Sequence, residues 1–135
     1  MSSALQATAA SPTSLFLRPL TFVQPGRIEY GAGKARRLAE LVPDWSERRV
    51  LVVADAFNAG RADLLALPKE HRIFSQVKPE PDLPNLELLV EEARDFAPEV
   101  IVGFGGGSAM DLAKLAAVLS GSGKGFRDIV GIDKA

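Results

Sequence analysis

Residues Gly103 to Lys114 read Gly-Phe-Gly-Gly-Gly-Ser-Ala-Met-Asp-Leu-Ala-Lys, with an apolar run before them and a helix-like run after. Such a backbone suits an anion. At a helix start the first N–H groups lack internal partners and the helix dipole is positive. Glycines let a phosphate approach without a Cβ in the way. Gly105, Gly106 and Gly107 are therefore candidates for holding a phosphate. Ser108 is the expected N-cap, and Asp111 three residues later completes a Ser-x-x-Asp capping box that fixes the loop exit. Asp111 and Lys114 are expected on one side of that helix, facing the loop. The alternative reading of the glycines is a tight turn or close helix packing.

Asp55 is the second candidate. It ends the apolar run Arg49-Val-Leu-Val-Val-Ala-Asp55. In α/β sheets ligands gather at the carboxyl ends of strands. A carboxylate there can accept both hydroxyl hydrogens of a ribose and repels a 2′-phosphate, which favours NAD over NADP. A plain N-cap acid accounts for the position equally well.

Two commoner phosphate templates fail. Gly103-x-Gly105-x-x-Ser108 lacks the third glycine of the dinucleotide fingerprint and follows the third buried strand, not the first. A P-loop is not formed at Gly123-Lys124, since Gly125 follows and Val118 stands where the first glycine belongs.

These residues need elements to position them. The apolar periodicity of Ala35, Leu38, Ala39 and Val42 predicts a helix that Pro43 stops. Arg49–Asp55 reads as a strand buried on both faces. A short helix is predicted before Pro68. His71–Val77 reads as a strand nearer a sheet edge, and Leu86, Leu89, Val90, Ala93, Phe96 and Ala97 mark a helix face closed by Pro98. Glu99–Gly105 reads as a third buried strand, followed by the glycines and a helix that ends near Gly121–Gly125. Residues 21–33 read as two extended pieces around a Pro25-Gly26 turn, and no strong element is predicted after Gly125. The alternation of strand and helix predicts an α/β fold: a Rossmann-like three-layer domain with a mainly parallel sheet.

The totals agree with one soluble domain. The chain has 135 residues, is 47% hydrophobic and 24% charged, and carries a formal net charge of -1. That balance argues against nucleic acid or anionic membrane as a partner. With no cysteine and one histidine, His71, a metal site built on several histidines or thiolates does not fit, and His71 reads as structural. No apolar run nears the ~18–20 residues of a membrane span. Residues 1–20 are rich in Ser, Ala and Thr, hold no acid and lack the pattern of a signal peptide. They read as a disordered tail before a domain at 21–135, and the cytoplasm is the expected location.

The stretch Gly105-Gly-Gly-Ser-Ala-Met-Asp-Leu-Ala-Lys114 resembles the Gly-Gly-Gly-Ser-x-x-Asp-x-Ala-Lys motif of the iron-containing (group III) alcohol dehydrogenases. Flanking pieces agree: Arg27–Gly33, Val50–Asp55, Phe74–Pro81 and Asp128–Ala135. The resemblance spans about Phe22 to Ala135. It implies an NAD- or NADP-binding N-terminal domain, truncated before a helical domain in which an aspartate and three histidines hold Fe2+ or Zn2+. In the full-length family the substrate is a small alcohol or aldehyde. It further implies that Asp55 contacts the adenosine ribose, that Gly105, Gly106, Gly107 and Ser108 hold the pyrophosphate, and that Asp111 supports the loop, with Lys114 a lesser candidate. Glycerol dehydrogenase and dehydroquinate synthase share the layout. Ala109 stands where the family often has Pro, and Pro79-Glu80-Pro81 where it often has Pro-Asn-Pro. The expected function is the cofactor-binding part of an NAD(P)-linked alcohol dehydrogenase, inactive alone, with a homodimer or a separate C-terminal half as partner. The alternatives are a non-catalytic nucleotide-binding module or a degenerate fragment, and a glycerol dehydrogenase-like member.

Overall fold

The structure, a computed structural model, describes residues 25–129. It falls into two units, Met1–Tyr30 and Gly31–Ala135. The expected tail at 1–20 lies outside the described residues. In the first unit, residues 25–30 bend at Gly26 and carry an Arg27–Glu29 ion pair. They form no strand, contrary to the extended pieces expected over 21–33, of which residues 21–24 lie outside the described residues.

The second unit is built on a parallel sheet of three strands, β1 (Val50–Ala54), β2 (His71–Phe74) and β3 (Val100–Phe104), in the order β2-β1-β3. Val50 pairs with both His71 and Val100. The central strand β1 is apolar throughout because both its faces are covered, and all five residues are fully buried. Leu51 and Val53 point to one layer, packed with Leu86, Leu89, Ala93, Leu112 and Ala116. Val50, Val52 and Ala54 point to the other, with Trp45, Leu65, Leu38 and Val42. This strict alternation gives the three layers of a Rossmann-like α/β unit.

The first layer holds two long helices, Leu83–Phe96 and Gly107–Ser122. The second is made of short pieces: α1 (Leu38–Leu41), α2 (Ala56–Ala59) and single-turn 3-10 segments at Lys34–Arg37, Trp45–Glu47 and Ala62–Leu65. The long helices are α3 and α4. The first predicted helix is thus a 3-10 turn that becomes α-helical at Leu38, and Ala35 stays exposed. The segment before Pro68 is 3-10, with Ala66 in the left-handed region at φ 48. Trp45, in the same layer, donates its indole N–H to the Ala66 carbonyl at 2.7 Å.

Helix α3 begins at Asp82, whose carboxylate caps the N–H of Asn85 at 2.9 Å, and carries Pro at its first turn. Helix α4 is lined by Ala109, Ala113 and Ala116, small enough to bring it against β3. A Cβ on Gly103 would lie 3.0 Å from Met110 Cα and 3.1 Å from Ala113 Cβ. Gly103 therefore serves close packing of α4 on β3. Two expectations need correction. β3 is an edge strand among the described residues and only partly buried, because β1 alone pairs with it. A short helix, α5 (Phe126–Ile129), follows Gly125, with its first turn tied by Asp128 Oδ2 accepting from Gly125 N–H at 2.8 Å.

Candidate functional site

The β1–β2 connection crosses one face of the sheet and the β2–β3 connection crosses the other. The crevice beyond the carboxyl ends of β1 and β3 is the switch point where such sheets bind ligands. Asp55 leaves β1 there and Gly105–Gly107 leave β3.

Asp55 caps α2. Its Oδ1 accepts the Asn58 backbone N–H at 2.8 Å and its Oδ2 accepts the Asn58 side-chain amide at 2.8 Å. The Asn58 backbone N–H, then its side-chain amide, hold the Asp55 carboxyl below the usual carboxylate range. Asp55 is thus an N-cap, and also a fixed anion at the mouth of the crevice.

Gly105 must be glycine on two counts. Its φ is 151, and a Cβ there would sit 3.2 Å from both Asp55 Oδ2 and Asn58 Nδ2. Gly106 and Gly107 differ. Gly106 has an ordinary φ of -80, and a Cβ on either residue would meet nothing within 4 Å. Among the described residues, neither packing nor backbone conformation requires glycine at these two positions. The bare backbone opens onto the crevice.

The cap of α4 is not the one the sequence predicts. The N-cap is Gly106, and Ser108 already lies inside the helix. Its hydroxyl donates to the Pro79 carbonyl at 2.8 Å, which ties the β2–α3 connection to the helix start. Asp111 is 72% exposed and lies 3.8 Å from Lys114 Nζ, so no Ser108–Asp111 capping box forms. The first helical bond runs from Met110 N–H to the Gly106 carbonyl at 3.2 Å. The N–H groups of Gly107, Ser108 and Ala109 precede it and have no intrahelical acceptor. No acidic residue occupies the first turn.

Asp55, Gly106, Gly107 and Ser108 come together with Val77, Lys78, Pro79 and Ala109 around a cleft of about 270 Å3. Gly105 sits beneath it against Asp55. Asp111 and Lys114 are not among the lining residues. A larger hollow of about 420 Å3 lies between α3, the end of α4 and Phe126, away from the strand ends, where Leu83, Leu86, Val90 and Leu119 alternate with the charged Glu87, Glu91, Arg94 and Lys124. The strand-end cleft is the better candidate because it joins exposed backbone donors to a fixed carboxylate.

The sequence reading passes over two residues here. Lys78 lines the cleft. Asn85 is 1% exposed and clamps the connection that carries it: its Nδ2 donates to the Gln76 carbonyl at 2.8 Å and its Oδ1 accepts the Lys78 N–H at 3.2 Å. The signal available was Asp82-x-x-Asn85 directly after the proline-rich stretch, a polar pair opening an apolar helix face.

Three carboxylates accept backbone N–H bonds and are held below their usual range. They are Asp55 (from Asn58), Asp82 (from Asn85, then Lys78) and Glu99 (from Arg49, then Arg48). A depressed folded-state pKa adds stability above the unfolded value and loses it as pH falls through the folded one. The urea midpoint is therefore expected to hold level from pH 7 to 5 and to drop below about pH 4, the unperturbed carboxylate range. A midpoint unchanged down to pH 3 would contradict this.

Among the described residues, no three His, Cys, Asp or Glu side chains gather as metal ligands. Among them also no helix is long and apolar enough to cross a membrane.

The sequence profile of the family described as iron-containing alcohol dehydrogenase matches residues 25–135. The chain is 35% identical over 105 residues to long-chain-alcohol dehydrogenase 1 of Geobacillus thermodenitrificans, covering 73% of this chain and 27% of that protein. It is 30% identical over 100 residues to sulfoacetaldehyde reductase of Bilophila wadsworthia, covering 69% of this chain and 26% of that protein. The crystal structure of maleylacetate reductase from Agrobacterium tumefaciens superposes with a TM-score of 0.63 at 27% identity, over 77% of this chain and 31% of that one. The chain spans about a quarter of the length of the curated relatives it matches.

Proposed function

We propose, from the premise that this chain belongs to the iron-containing alcohol dehydrogenase family, that residues 21–135 form the dinucleotide-binding part of an alcohol or aldehyde oxidoreductase. The observation that carries this reading is the open backbone at Gly106 and Gly107, bare for no internal reason and adjoining the uncapped start of α4. A pyrophosphate fits that cradle: its charge meets the helix dipole and its oxygens accept the free N–H groups. Gly105, Gly106, Gly107 and Ser108 would hold it. Asp55, ionised and fixed by Asn58, would accept hydroxyls of the adenosine ribose and disfavour a 2′-phosphate, so NAD is the preferred cofactor. Bound there, the dinucleotide would supply the hydride acceptor. Asp111 and Lys114, exposed outside the cleft, act at most through the helix they stand on.

The family's metal does not fit these residues. The chain has one histidine, and that one, His71, donates from Nδ1 to the Pro68 carbonyl at 2.6 Å, at the start of β2. The substrate and any metal contacts would come from sequence that the longer relatives possess, and this chain alone would not oxidise alcohols. The three relatives named above differ in substrate, so the alcohol is not specified, and they give no support to a glycerol dehydrogenase-like placement.

The test is direct titration of the 135-residue chain with NADH and NADPH, followed by nucleotide fluorescence. Saturable NADH binding, weaker NADPH binding, and no alcohol-dependent NADH production with Fe2+ or Zn2+ added are expected. A folded chain that binds neither nucleotide would remove the cradle. Turnover by this chain alone would remove the inactivity.

A further inference from the structure

Among the described residues, two charged side chains line the strand-end cleft, Asp55 and Lys78. Asp55 is committed to Asn58 through both oxygens. Lys78 is committed much less firmly. Its Nζ lies 3.2 and 3.5 Å from the two oxygens of Asp82, and both side chains are about half exposed, at 54% and 53%. An ion pair so exposed contributes about 0–1 kcal/mol.

The root of Lys78, in contrast, is fixed. Its N–H is held by buried Asn85, the N–H of Val77 bonds to the Ala54 carbonyl at 3.4 Å, and the next carbonyl, that of Pro79, accepts from Ser108. The four-carbon stem therefore starts from a set point beside Gly106 and Gly107, and its ammonium can swing. Asp82 loses little if Lys78 leaves, because it still caps α3 through the Asn85 N–H.

We propose that Lys78 is a phosphate-binding residue of this cleft, parked on Asp82 and transferred to the dinucleotide pyrophosphate when it binds. The proposal rests on the dinucleotide reading above. Exchange is favourable because a pyrophosphate carries more charge than one carboxylate and is already partly desolvated against the helix start, and charge-assisted bonds strengthen there.

The experiment is a double-mutant cycle on NADH affinity in the 135-residue chain, with NADPH in parallel and each titration run at low and moderate salt. Lys78→Ala is expected to weaken NADH and NADPH alike, by about tenfold, and to flatten the salt dependence. Asp82→Asn keeps an Oδ1 acceptor for the helix cap, so the fold is retained; it is expected to tighten NADH severalfold in the wild-type background and to do nothing in the Lys78→Ala background. Equal NADH affinity in wild type and Lys78→Ala overturns the proposal. A loss confined to NADPH overturns it too, by placing Lys78 on a 2′-phosphate. Tightening by Asp82→Asn that persists without Lys78 also overturns it, by showing a general charge effect. If wild type binds no nucleotide, the dinucleotide reading itself falls, and the failure is distinguishable because no variant is needed to see it.

Discussion

Gly106→Asp is expected to abolish NADH binding, lowering affinity by at least about 100-fold, while leaving the protein folded. The two halves of that statement have separate grounds. A Cβ at 106 would meet nothing within 4 Å and the backbone there has φ -80, so a residue with a side chain is accommodated there without backbone strain. Asp is a better N-cap than Gly by a few tenths of a kcal/mol, so the melting temperature should hold or rise. Yet the carboxylate would bond the same N–H groups and occupy the same positive end of α4 that a pyrophosphate needs. Gly106→Asn separates charge from bulk: it caps equally well without the charge, and an intermediate affinity is expected. Isothermal titration beside a thermal melt checks both halves. Undiminished NADH affinity in folded Gly106→Asp would show that phosphate does not bind there.

Gly105→Ala, one residue earlier, should do the reverse. At φ 151 an L side chain is strained, and its Cβ would press on Asp55 Oδ2 and Asn58 Nδ2 at 3.2 Å and on Ala109 Cβ at 3.3 Å. Such strain costs about 1–3 kcal/mol. The damage would also reach the Asp55–Asn58 bonds, the support of the proposed ribose contact. Gly106→Ala serves as the control, with a stability change expected within about 0.5 kcal/mol. Urea denaturation of the pair decides the matter: equal midpoints would mean that Gly105 can relax its backbone, and that its glycine is not obligatory.

These neighbouring glycines also show what the sequence could and could not disclose. The apolar run Arg49–Asp55 suits a two-sided strand, and Val50–Ala54 is one. The face of α3 was legible because Leu86, Leu89, Val90 and Ala93 repeat with the helix period. The strand-glycine-helix order located the cleft. The helix start was misread by two residues, because Ser outranks Gly as an N-cap in local statistics. What removes Ser108 from the cap is its bond to the Pro79 carbonyl, a contact across 29 residues that local pattern cannot contain. Lys78 was hidden for the same reason. In sequence it belongs to a proline-rich connection, and only the sheet order brings that connection beside Gly106. Asp55 was legible as a polar strand end, but its double tie to Asn58 depends on a turn whose geometry the letters leave open.

The pairing of Val50 with both His71 and Val100 has a consequence in time. On a ribosome, β1 emerges first, and both strands that flank it arrive later. Until Val100–Phe104 has been synthesised and has cleared the exit tunnel, the five fully buried residues of β1 have one neighbouring strand at most. Pairings so distant along the chain close slowly, since the entropy of the intervening loop must be lost before any contact forms. The nascent chain therefore passes through an interval in which Val50–Ala54 is a sticky, half-dressed segment of the kind that chaperones bind. Its safety depends on how fast translation delivers the stretch that ends in the glycines.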